Sequence, residues 1–109
     1  MSDERIKPIF SSRENDPSVS EIVDQLVIGL GERIDLLQDA ESAHDFDQIA
    51  ILSSALVENA RQAGFAELAR VASALEEVST WRDADRTHAR LVELTRIVHR
   101  VRLGHMGTA

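Results

Sequence analysis

The sequence predicts an all-α protein, an up-down-up-down bundle of four amphipathic helices with an extended leader at its N-terminus. Three observations predict it. Apolar residues recur at three- and four-residue spacing in four successive segments, which lays them along one stripe of a helix in each. Ala, Leu, Val, Glu and Arg dominate, aromatic residues make up only 4% and tyrosine is absent, a composition that favours helix. Cap and turn residues separate the segments, and no strand alternation, internal repeat or low-complexity tract competes with them. At 109 residues the chain is long enough for one core and too short for two.

Residues 1–15 show no sustained period and contain Pro8, Ser11 and Ser12, so they are expected to form a flexible or docked leader, with Ile6, Ile9 and Phe10 able to lie across the end of the bundle. Asp16-Pro17 then opens the first helix, an aspartate cap followed by proline where its missing N–H costs nothing. Ser18-x-x-Glu21 offers an overlapping capping box. Val19, Ile22, Val23, Leu26, Leu30, Ile34 and Leu37 form the apolar stripe, which should fade around Ala40–Ala43, while Ile28 and Leu36 lie off it. Asp45 caps the second helix, expected over Phe46–Ala63 with Ile49, Leu52, Leu56 and Ala60 facing inward. Gly64 ends it, because a residue without Cβ takes the left-handed conformation freely. The third helix is expected over Ala66–Val78, with Leu68, Val71, Ala72 and Leu75 inward. Trp81 is expected to lay its ring over the end of the bundle. A polar connection should run to about Arg86, and the fourth helix to Arg102 or Leu103 with Leu91, Leu94, Val98 and Val101 inward. Gly104 should end that helix and leave 104–109 as a frayed tail. The bundle is thus expected over 16–103.

Composition narrows the function. A net charge of −7 argues against nucleic acid as the main partner, since phosphate binding relies on a basic surface. The charge is uneven: Arg82, Arg86, Arg90, Arg96, Arg100 and Arg102 crowd the last thirty residues against Asp83, Asp85 and Glu93, so acidic and basic helices are expected to pair inside the bundle. There is no cysteine, which excludes disulfides and thiolate metal sites. No apolar run approaches the roughly 20 residues of a membrane span and no secretory signal is visible, so a cytoplasmic protein with no membrane contact is expected.

The stretch Gln48–Glu76 carries a resemblance. Leu56, the turn Gly64-Phe65-Ala66-Glu67-Leu68 and the closing pair Leu75-Glu76 resemble histidine-containing phosphotransfer (HPt) domains of bacterial two-component phosphorelays. In that family a helix carrying His-x-Leu-Lys-Gly leads to a Gly-aromatic or Gly-Ala turn and a helix ending Leu-Glu. The resemblance covers roughly Asp16 to Arg102, and it implies a four-helix bundle. Aligned on the turn, the family's phosphoaccepting histidine falls on Ser54, its lysine on Val57 and its glycine on Glu58. The scaffold agrees and the reactive residues do not.

On a helical wheel Ser54 lies well away from the inward stripe, so it should face solvent beside Asp47, Ala50, Ile51, Val57, Glu58 and Arg61. In the family this face docks a receiver domain. A serine phosphate ester has far lower transfer potential than a phosphoimidazole, Val57 removes the cation, and Glu58 adds negative charge where phosphate would sit. The expectation is a pseudo-HPt module: not an enzyme, without cofactor, and binding a response-regulator receiver domain or a histidine kinase in two-component signal transduction. The alternative is a structural or oligomerisation bundle, with Ile28 and Leu36 in a homodimer seam. His44 is expected in a solvated loop and His105 in the tail. His88 and His99 share a face of the fourth helix but stand three turns apart, too far to bind one metal ion together. No metal site is expected, and no Gly-x-Ser-x-Gly turn, phosphate-cradling glycine loop or Glu-x-x-His motif is present.

Overall fold

The computed structural model describes residues 6–13 and 15–106, so the first and last few residues of the expected leader and tail lie outside the described residues. The protein is an all-α four-helix bundle of α1 (Ser20–Ser42), α2 (Phe46–Gln62), α3 (Ala66–Thr80) and α4 (Ala84–Met106). Each helix packs on its neighbours in sequence and α4 closes the ring against α1. One core fills the centre, with Leu30, Leu37, Ile49, Leu56, Leu68, Leu75 and Leu94 fully buried.

The three connections share one design. Each of the first three helices is followed by a residue with left-handed backbone: His44 (φ 55°), Gly64 (φ 80°) and Arg82 (φ 56°). After α1, the His44 amide donates to the Glu41 carbonyl and the Asp45 amide to the Ala40 carbonyl, so two carbonyls orphaned at the helix end are satisfied. Gly64 and Phe65 repeat the pattern on Arg61 and Ala60. The next helix starts at once, and Asp45 accepts from the Gln48 amide at 3.0 Å as its N-cap. Turns this short force consecutive helices to run antiparallel.

Interfaces differ in tightness for a reason visible in their side chains. Ala60, Ala63, Ala69 and Ala72 are buried between α2 and α3, and such small residues let two backbones approach closely. On α1 the buried residues are mostly Val, Leu and Ile, which hold its axis further out.

Five expectations about element ends and sides are corrected. Helix α1 starts at Ser20, not at Pro17: the Asp16 carboxylate accepts from the amide and hydroxyl of Ser18, closing a turn ahead of the helix, and no side chain caps Val19. Those two bonds hold the Asp16 carboxyl below its ordinary range. Helix α4 starts at Ala84, because the Asp83 carboxylate accepts from the Arg86 amide as a cap. It also continues through Gly104 to Met106, with Ile9 of the leader lying against that last turn. Ile22 is 41% exposed, because it sits at the margin of a stripe centred on Val23, Leu30 and Ile34. Trp81 does not cover the bundle end: it is 54% exposed and stacks beneath the Arg86 guanidinium at 5.7 Å.

Residues 6–13 run extended from α4 to the α2–α3 turn. The Ile9 amide donates to the Arg100 carbonyl at 3.0 Å, and Arg100 returns a bond from Nε to the Lys7 carbonyl at 2.8 Å. The buried Ser11 hydroxyl donates to the Ala63 carbonyl, and the Ser12 amide to Gly64 at 2.8 Å. These bonds satisfy carbonyls left over at the end of α2. Two glycines make the room: a Cβ on Gly104 would overlap the Ile9 carbonyl, and one on Gly64 would come within 2.8 Å of Ser11 Oγ.

The expected pairing of acidic and basic helices inside the bundle is largely absent. Among the described residues, the contacts between titratable side chains of α1 and α4 are His88–Glu41 at 2.8 Å and His105–Asp24 at 3.4 Å. Arg86 and Arg90 pair instead with Asp83 and Glu93, each three residues away along the chain.

Candidate functional site: the outer face of α2

Spacings of four, three, four and three residues place Asp47, Ile51, Ser54, Glu58 and Arg61 along one ridge of α2, about 21 Å long. All five are exposed, Ile51 at 63%. Ala50 lies half-buried on one flank. Val57 does not belong to this face: it is 7% exposed and sits in the core cluster, so the face is smaller and more polar than the wheel suggested. The wheel erred because α3 lies close along that side of α2, and its small residues let the core reach round to Val57.

Ser53, one position before Ser54, is fully buried. A step of about 100° separates the two. Among the described residues the Ser53 hydroxyl has no hydrogen-bond partner, and neither does that of Thr87 on α4. Its place between Ile49 and Leu56 on the inward stripe is the signal of that burial.

The chemistry open to the ridge is limited. No histidine lies on it, and Ser54 makes no hydrogen bond to the rest of the described chain. One turn on stands the carboxylate of Glu58, and the nearest cation along the ridge, Arg61, is two turns from Ser54, about 10 Å along the axis. A phosphoryl group on Ser54 would therefore face an anion before it met a cation. At the other end, Arg82 reaches from the α3–α4 turn to Asp47 at 3.0 Å. That pair joins residues 35 apart, a contact no local spacing reveals. Both groups are well exposed, so its contribution to stability is small.

The histidines lie elsewhere. His44 occupies the α1–α2 turn, His88 bonds Glu41, His99 is exposed on α4, and His105 belongs to α4 rather than to a tail. Among the described residues no three of His, Asp and Glu gather as ligands of a metal ion. No described helix is long and apolar enough to cross a membrane. Compared with models of protein families, with curated proteins and with solved structures, the chain finds no match in any of the three.

Proposed function

We propose that this chain is a pseudo-HPt module that binds a receiver domain or a histidine kinase of a two-component system through the outer face of α2, without carrying phosphate. The observation that carries the reading is the exposed Ser54 on a four-helix bundle, at the position where the resembling family keeps its histidine. The Gly64-Phe65 turn and the Leu75-Glu76 pair support the same alignment. The docking ridge is then Asp47, Ile51, Ser54, Glu58 and Arg61 with Ala50 on its flank, and Val57 contributes only packing. Ile51 is the apolar centre of that ridge, and a buried apolar anchor ringed by polar residues is the usual anatomy of a small protein interface. Such a module competes with genuine phosphotransfer domains for a shared receiver.

Titrating receiver domains into isotope-labelled protein tests this directly. Amide shifts along residues 47–61 that vanish in Ile51→Asp are expected, together with no transfer of label from a phosphorylated receiver. Shifts confined to another surface, or phosphate retained on Ser54, would overturn the reading.

A further inference from the structure

We propose that copies of this chain associate head to tail, the acidic outer face of α1 in one copy seating in the basic groove between α4 and the leader of the next. Helix α1 carries six carboxylates against one arginine, and α4 carries five arginines against two carboxylates. They are neighbours in the bundle, yet Glu32, Asp35 and Asp39 on α1 and Arg96 and Arg102 on α4 make no ion pair among the described residues. Arg102 lies against α1 at Gly31 without reaching a carboxylate, and Arg96 and the three acids are likewise left uncompensated among the described residues, so their charge is open to a second copy.

Shape agrees with charge. Ile28, Glu32, Asp35, Leu36 and Asp39 share the side of α1 turned from the core, with Ile28 78% and Leu36 48% exposed. The two apolar residues stand about 12 Å apart along the axis, with two acids between them. Opposite in character is an open groove of about 550 Å³ lined by Ile6, Thr95, Arg96, Ile97, His99 and Arg100, together with Glu93, whose charge Arg90 offsets at 3.2 Å. Its floor is apolar, and its cations, Arg96 and Arg100, stand one helical turn apart. A helix presenting isoleucine and leucine between carboxylates matches both features, and this chain supplies one. Each copy offers one of each face, and a contact made in one direction only is heterologous, so copies build a ring or an open chain. The net charge of −7 opposes approach at long range, while salt near 0.1 M confines that repulsion to about 10 Å, so the local complement decides at contact. The contact uses neither Ile51 nor Ser54 and stands whether or not α2 binds a receiver.

Sedimentation of the full chain tests the proposal, with Ile28→Asp and Arg96→Glu as variants; both residues are exposed, and far-ultraviolet circular dichroism checks that each variant keeps its helices. The wild type is expected to gain mass with concentration, and to lose it as salt rises from about 0.1 M to 0.5 M, where screening tightens. Each variant alone should associate at least about tenfold more weakly. Mixed, the two should form a one-to-one heterodimer, because the intact α1 face of one meets the intact groove of the other. A wild type monomeric at every concentration overturns the proposal and leaves the groove to an acidic helix of another protein. Variants that associate like the wild type, or that form nothing when mixed, overturn it equally.

Discussion

Ser53 and Ser54 are the same residue type in the same turn of α2, yet one is sealed in the core and the other stands in solvent. The buried one pays for its hydroxyl, since an unpartnered polar group in the interior costs about 1–3 kcal/mol. Ser53→Ala should therefore be neutral or slightly stabilising, the loss of an oxygen offset by a small void. Thr87→Val keeps the shape and removes the orphan hydroxyl, so thermal melts should show a gain of up to about 1 kcal/mol. A drop in melting temperature for Thr87→Val would mean that the hydroxyl is satisfied after all. Elsewhere in the core the sign reverses: Leu56→Ala and Leu75→Ala should each cost about 2–5 kcal/mol through lost burial and the cavity left behind, read from denaturant midpoints. Glu67 shows how little an exposed charge adds. Its hydrogen bond from Arg70 holds the carboxyl below its ordinary value of 4.5, so whatever stability it adds is present above that pH and fades as the pH falls through the lowered value. Glu67→Gln should flatten only that acid limb of the stability curve.

At the scale of elements, the three turns form a matched set in which only one carries the residue its backbone prefers. Gly64 suits a φ of 80°, whereas His44 and Arg82 hold φ near 55° against the Cβ. Replacing His44 by glycine should stabilise the protein by about 0.5–1 kcal/mol, seen as a rise in the urea midpoint without a change in slope. Arg82→Gly should gain less, because it also removes the contact with Asp47. Gly64→Ala goes the other way and for two reasons: its φ is unfavourable, and its Cβ would press on Ser11 and Arg13. Cutting the α2 cap with Asp45→Ala should cost about 1 kcal/mol.

For the molecule as a whole, the leader and the bundle are separable in experiment. Gly104 lies inside α4, where alanine would raise helix stability by about 1 kcal/mol if nothing lay against it. Because Ile9 does lie against it, Gly104→Ala should displace residues 6–13 while leaving four helices in place. Hydrogen exchange reads the outcome: the Ile9 and Ser12 amides should lose protection and those of the core helices should keep theirs. Unchanged protection at Ile9 would show that the leader does not need the gap.

The sequence by itself determined the number of helices, their order and most residues of the core stripes. Helical period and cap chemistry are local, and Asp45, Gly64 and the Leu75-bearing stripe act within a few residues of where they stand. It also placed Ser54 on an outward face, since one inward stripe defines its opposite. Tertiary structure alone decided the rest. Val57 and Ser53 are buried because α3 lies close along that side of α2, a distance set by alanines on another segment. Gly104 continues a helix because Ile9, nearly a hundred residues earlier, packs where a side chain would be. Acidic and basic helices stay largely unpaired because the residues that bring α1 and α4 together are apolar, and they turn most of the charges outward. Periodicity tells a residue which way it points on its own helix; only packing tells it what stands there.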